Sequence, residues 1–188
     1  MALLAHPDEE YLQQNNAGNI LALLGSLGSL AVIVVTTRLY VRFYVLKLPG
    51  WDDYTILAAT LFGLGMYVCF VGETYYGLGR HYQGVTPEDT LAMMKWLLAH
   101  SICATSAICL TKVSVGFFLL RLAPKRSWRV FLWITIIFLT AYTLASLGTI
   151  IFACVPVQAQ WDLELAKTAR CFSHKTFVGI SLWNAGQP

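Results

Sequence analysis

Charge is scarce in this sequence. Asp, Glu, Lys and Arg make up 12% of its 188 residues, about half the roughly 25% typical of soluble domains. That shortage excludes a domain bathed in water on every side. The net charge is only +3, and the basic residues sit between apolar runs instead of along one strip. A nucleic-acid footprint is therefore not expected. No CxxC pair and no Cys/His cluster at zinc spacing occurs among Cys69, Cys103, Cys109, Cys154 and Cys171, so no metal site is expected. HExxH, a phosphate-cradling glycine loop and a nucleophilic triad are likewise missing. No catalytic residues, no cofactor and no enzyme are expected. There is no low-complexity tract, linker or internal repeat, and the N-terminus lacks the basic region of a cleaved leader.

What is present is hydrophobic sequence in long runs, 57% of residues overall, with a mean hydropathy of +0.60. The organising stretch is Lys95 to Arg126, in which Trp96 to Leu120 is long enough to cross a bilayer, a task that takes about 20 apolar residues. Lys112 lies inside it. An intramembrane cation costs roughly 3 kcal/mol or more unless it snorkels or finds a partner, so this helix is expected to pack against others.

Three more runs have the same character. Span one covers about 18–44 and has a small-residue middle at Gly25, Ser26, Gly28 and Ser29, a composition that lets helix backbones approach in lipid. Span two covers about 54–76, after Leu48-Pro49-Gly50 breaks the chain, and span four covers about 128–153. A fifth apolar run, 176–183, stops at Asn184-Ala-Gly-Gln-Pro; thirteen residues from Thr176 to the end cannot span a bilayer. The expected architecture is thus all-α, a multi-pass transmembrane helix bundle with four full spans and the start of a fifth. Residues 1–17 form an exposed tail, and 18–188 form one transmembrane domain.

Orientation follows from Lys and Arg near the span ends. The loops after spans one and three hold three and four of them. The N-terminal tail holds none, and the loops after spans two and four hold two and three. The first pair of loops is expected in the cytoplasm and the N-terminus outside, most simply at the plasma membrane.

Several polar residues admit two readings. Lys112 is either an ion or ligand site or a structural lysine about eight residues from the cytoplasmic end, roughly 12 Å at 1.5 Å per residue, within reach of Asp53. Asp52 and Asp53 mimic paired catalytic carboxylates, yet a helix start also favours acids, and Arg121, Lys112 or Arg42 can partner them. Asp53, Lys112 and Arg121 form the expected polar framework. Glu73, Arg80 and His81 are either an outer ligand mouth or ordinary headgroup-level residues. His100 reads as a hydrogen-bonded packing residue, and Thr86-Pro87 as a helix start. Cys154 and Cys171 flank a loop on the oxidising side and are either two free thiols or a bridge, which would stabilise by roughly 3 kcal/mol in the loop-entropy model; Cys103, deeper in span three, is a rival partner.

Particular motifs then add a family resemblance. Arg38-Leu-Tyr-Val-Arg42, Gly50-Trp-Asp-Asp-Tyr54 and Tyr76-Gly-Leu-Gly-Arg-His81 occur in order with Lys112-Val-Ser and Phe118-Leu-Leu-Arg-Leu122. Phe152-Ala-Cys-Val-Pro156, Trp161-Asp162 and Cys171 complete the set. The chain resembles the fungal rhodopsin-domain integral membrane proteins, often grouped with orphan receptors. The resemblance implies seven helices with the N-terminus outside, and does not imply retinal, whose lysine in rhodopsins lies on the seventh helix. Against that pattern this chain reads as C-terminally truncated. Three roles stay open: a receptor-like protein sensing an extracellular cue, a structural or transport-associated membrane subunit, and a nonfunctional truncated product. The implied partners are the lipid bilayer, a small extracellular ligand and, for a full-length protein, cytoplasmic signalling proteins.

Overall fold

The computed structural model describes residues 17–78, 86–162, 165 and 168–171. Four long helices dominate it. Helix α1, Ala17–Tyr40, runs straight on into a π-helical turn at Val41–Val45. Helix α2 is Trp51–Tyr75, α3 is Pro87–Leu122 and α4 is Arg126–Ile151. Each carries a window apolar enough to cross a bilayer. The chain is a multi-pass membrane protein with lipid as its surrounding solvent.

Consecutive helices pack as neighbours, α1 on α2, α2 on α3 and α3 on α4, with α2–α3 the most extensive contact. Glycine sets the closest approaches. A side chain at Gly72 of α2 would run into the Trp96 indole of α3 at 2.7 Å, and one at Gly116 of α3 would meet Ile136 of α4 at 2.8 Å. On α1, Gly25 faces the Tyr67 hydroxyl. Elsewhere α1 is nearly bare, with Leu23, Leu27, Leu30 and Ile33 exposed. Such an apolar surface suits lipid and would be anomalous in water.

The helix boundaries have local causes. The π-turn closes with Leu46 N–H donating to Val41 O, and Lys47 then adopts a left-handed φ of 51°. Gly50 caps α2: its N–H donates to Asp53 Oδ2 at 3.0 Å while Asp53 N–H donates to Gly50 O. Only half of a capping box forms, because Gly50 has no side chain to return the bond. Thr86 caps α3, accepting from Asp89 N–H at 3.2 Å, with Pro87 as the first helical residue. Helix α3 has 36 residues, about 54 Å at 1.5 Å per residue, so it outreaches a hydrocarbon core of about 30 Å. It starts nine residues ahead of the expected span at Trp96. The polar first turns are helical because they are capped, not because they are apolar.

After α4, Gln160 Nε2 donates to Ile151 O at 2.6 Å and satisfies a terminal carbonyl. Two short strands, β1 (Cys154–Val155) and β2 (Arg170–Cys171), pair antiparallel with Cys154 opposite Cys171, and these two cysteines are disulfide-bonded. The N-terminal tail, Arg80, His81 and the fifth apolar run lie outside the described residues.

Candidate functional site

The polar side chains collect in two places along α2. The first is at its start. Leu46 to Gly50 is a short connection, so α2 begins beside the end of α1. Arg38 and Arg42, four residues apart, project from one face of that end. Arg38 Nη2 meets Asp52 Oδ2 at 2.8 Å and its Nε meets Asp53 Oδ1 at 3.5 Å. Arg42 reaches Asp52 at 3.3 Å and Asp53 at 3.5 Å. Both carboxylates are buried, Asp53 completely. Two guanidiniums cancel two carboxylates, which is the condition under which buried charge is tolerated.

Helix α3 locks this cluster from the other side. The buried Ser114 hydroxyl donates to Asp52 O at 2.7 Å. The Arg38 guanidinium lies over the Phe118 ring, 5.3 Å from its centroid, a cation–π contact. Three helices thus share one knot: an Arg pair from α1, an Asp pair from α2, and Ser114 with Phe118 from α3.

This arrangement corrects the expected framework. Of the cations considered for the Asp pair, Arg42 is used together with Arg38, while Arg121 stands at the edge of the cluster and Lys112 turns away from it. Arg121 is exposed, with its guanidinium beside Gly50. Lys112 lines a groove between α3 and α4. The physical reason is helical phase: at about 100° per residue, Lys112 sits roughly 160° around α3 from Ser114, the residue that faces Asp52.

The second polar site lies near the end of α2. Glu73 is buried, and its Oε1 is 2.9 Å from His100 Nδ1 of α3. The two atoms are within ion-pair distance but out of line for a hydrogen bond, and neither completes one. Phe70 presents its ring to the His100 imidazole at 5.9 Å, and Gly72 admits Trp96 on the adjoining face. The alternatives weighed for Glu73, an outer mouth or a headgroup-level residue, both assumed exposure. The structure buries it against α3. His100 is the residue that sequence reasoning left without this partner, because the two lie on different helices with no local spacing to link them. The only cue was an acid and a histidine each inside an apolar run.

Among the described residues no three His, Cys, Asp or Glu side chains group to hold a metal. Cys69, Cys103 and Cys109 are free thiols. The chemistry on view is ion pairing and hydrogen bonding within a helix bundle.

Comparison with known proteins agrees with this picture. The family model described as the fungal rhodopsin domain matches residues 37–186. The chain is 28% identical over 148 residues to the polyenoic acids biosynthesis gene cluster protein Ba17b of Metarhizium anisopliae, covering 76% of this chain and 40% of that protein. It is 30% identical over 122 residues to a SAT4 family membrane protein of Emericella nidulans, covering 63% of this chain and 29% of that protein. The chain therefore spans well under half the length of these curated relatives. No solved structure gives a significant match. The matched region takes in all of α2, α3 and α4, the Arg–Asp knot and the disulfide-bonded loop, and the chain belongs to the fungal rhodopsin domain family.

Proposed function

We propose that this chain is the membrane-spanning part of a receptor-like protein that senses an extracellular cue, with its N-terminus outside and the plasma membrane as its site. The observation that carries the reading is the unequal polar wiring of the bundle. The Arg38–Arg42–Asp52–Asp53 end is held by reciprocal ion pairs between the first two helices and by a hydrogen bond from the third. At the other end, among the described residues, a single buried acid meets a single histidine out of line. A rigid end and a loosely satisfied end on the same helices suit a protein that shifts between two packings. The name of the Metarhizium relative, which refers to a polyenoic acid gene cluster, directs the search for a cue toward amphipathic acids. No enzymatic step is assigned to the site, since no nucleophile–base pair is assembled there among the described residues.

Two measurements test the reading. Cysteines placed at Lys47 and Thr86, both exposed, are labelled with a membrane-impermeant maleimide on intact cells. Labelling at 86 and protection at 47 support the orientation; the reverse pattern overturns it. Distance change between dyes at the same two positions, on adding long-chain acids, supports sensing. Net substrate flux across vesicles without such a change assigns the chain to transport instead.

A further inference from the structure

The two connections at one end of the bundle carry a surplus of positive charge. The first, 46–50, joins α1 to α2, and the second, 123–125, joins α3 to α4. They lie at the same end: a Cβ placed on Gly50 would be 3.8 Å from Arg121 Nη1, and Arg121 is one residue short of the end of α3. Arg38 and Arg42 neutralise Asp52 and Asp53, the only acids at this end among the described residues. Lys47, Arg121, Lys125, Arg126 and Arg129 remain, all exposed. Among the described residues none of these is within ion-pair distance of an acid.

All but Lys47 fall between positions 121 and 129, on either side of one tight turn. Arg129 Nε donates to Ala123 O at 3.0 Å, which folds that side chain back over the turn. Packed helices lie about 8–10 Å apart, so these cations fit within the footprint of one or two lipid headgroups. Two observations put headgroups against the patch. Helices α2 and α4 have 25 and 26 residues, about 38 Å at 1.5 Å per residue, little more than a hydrocarbon core of about 30 Å. Their starts therefore emerge at headgroup level. Trp51 and Trp128, at those two starts, are both exposed, as aromatic residues at a bilayer interface are. Clustered cations at that level attract anionic lipid, and a headgroup with several phosphates neutralises more of them than a singly charged one.

We infer that the Arg121–Arg129 turn, together with Lys47, binds a phospholipid whose headgroup carries more than one phosphate. Which leaflet it meets rests on the orientation proposed above; the binding itself does not. The full chain is reconstituted in phosphatidylcholine nanodiscs holding a small fraction of pyrene-acyl phosphatidylinositol 4,5-bisphosphate in both leaflets. Energy transfer from tryptophan is compared with discs holding pyrene-acyl phosphatidylcholine. Transfer is expected to be about threefold higher for the bisphosphate, and Lys125→Gln combined with Arg126→Gln to remove most of the excess. Lys125→Arg combined with Arg126→Lys is expected to keep it, and so is Lys95→Gln, an exposed cation in the opposite half of α3. Equal transfer in the two kinds of disc overturns the proposal, as does an excess that survives the double glutamine variant. An equal excess for pyrene-acyl phosphatidylserine at matched headgroup charge overturns it in favour of diffuse attraction. Displacement by equimolar inositol trisphosphate overturns it in favour of a soluble ligand. Should the double variant fail to reconstitute, the phosphatidylserine comparison decides together with Lys47→Asn, which keeps a left-handed turn. Maleimide labelling of position 47 from outside would sink the orientation while leaving the headgroup site intact.

Discussion

The two ends of α2 solve the same problem in different ways. Each buries carboxylate in a membrane protein, where an uncompensated charge is expensive. At Asp52 and Asp53 the compensation is redundant. Each acid meets two arginines, Asp53 also accepts from a backbone N–H, and the Asp52 carbonyl accepts from Ser114. At Glu73 the compensation among the described residues is a single histidine approached off-axis. Redundancy means that no small helix displacement can satisfy the first cluster better than the one observed. A single imperfect contact leaves a neighbouring arrangement close in energy. The comparison separates a fixed point from a place where the bundle can yield.

The largest effect is expected from breaking the fixed point. Asp53→Ala strands two part-buried arginines, and removing one partner of a fully buried pair costs about 3–5 kcal/mol, an upper bound here. Thermal unfolding of the detergent-solubilised protein should show a large drop, or the variant should fail to accumulate in membranes. A melting curve matching the parent protein would mean that the cluster is not the anchor described above.

Next comes the covalent tie beyond α4. Cys154 and Cys171 close a loop with a sequence separation of 17, and reducing it, or replacing Cys171 by Ser, is expected to remove about 3 kcal/mol in the loop-entropy model. Protection from proteolysis in the 154–171 segment should fall while the α1–α3 knot stays intact. Loss of both together would show the two regions to be one cooperative unit, contrary to the separation drawn here.

Gly72→Ala probes the α2–α3 seam just before Glu73. The added methyl would meet Trp96 ring atoms at 2.7–3.0 Å, and overpacking of this kind costs about 1–3 kcal/mol. The smallest effect is expected at Glu73→Gln, which keeps shape and removes charge. A loss of no more than about 1 kcal/mol is expected in the same unfolding assay, because no completed hydrogen bond is removed. A Glu73→Gln loss as large as that of Asp53→Ala would erase the contrast between the two ends.

Much of this arrangement was legible before any coordinates. Four apolar runs of membrane length specify four spanning helices, since an unpaired backbone is not tolerated in hydrocarbon. Thr86 and Pro87 announce the start of α3, and Leu48-Pro49-Gly50 the break between α1 and α2. The partners of Asp52 and Asp53 were only partly legible. Arg38 and Arg42 sit on one helical face, which local periodicity reveals, but Lys112 and Arg121 offered the same charge on a neighbouring helix. Setting Lys112 aside required the rotational phase of α3, which Ser114 and Phe118 set by packing against the knot. Glu73 and His100 were less legible still, because each looks unremarkable in its own helix.

Sequence alone determined the solvent of this protein, the number of its described spans and the family to which it belongs. Those properties depend on composition and on residues near one another in the chain. Tertiary structure decided which charges meet, that Glu73 is buried against His100, and that Lys112 turns toward α4. Each of these depends on how one helix is rotated against the next, and many side chains on several helices set that rotation jointly.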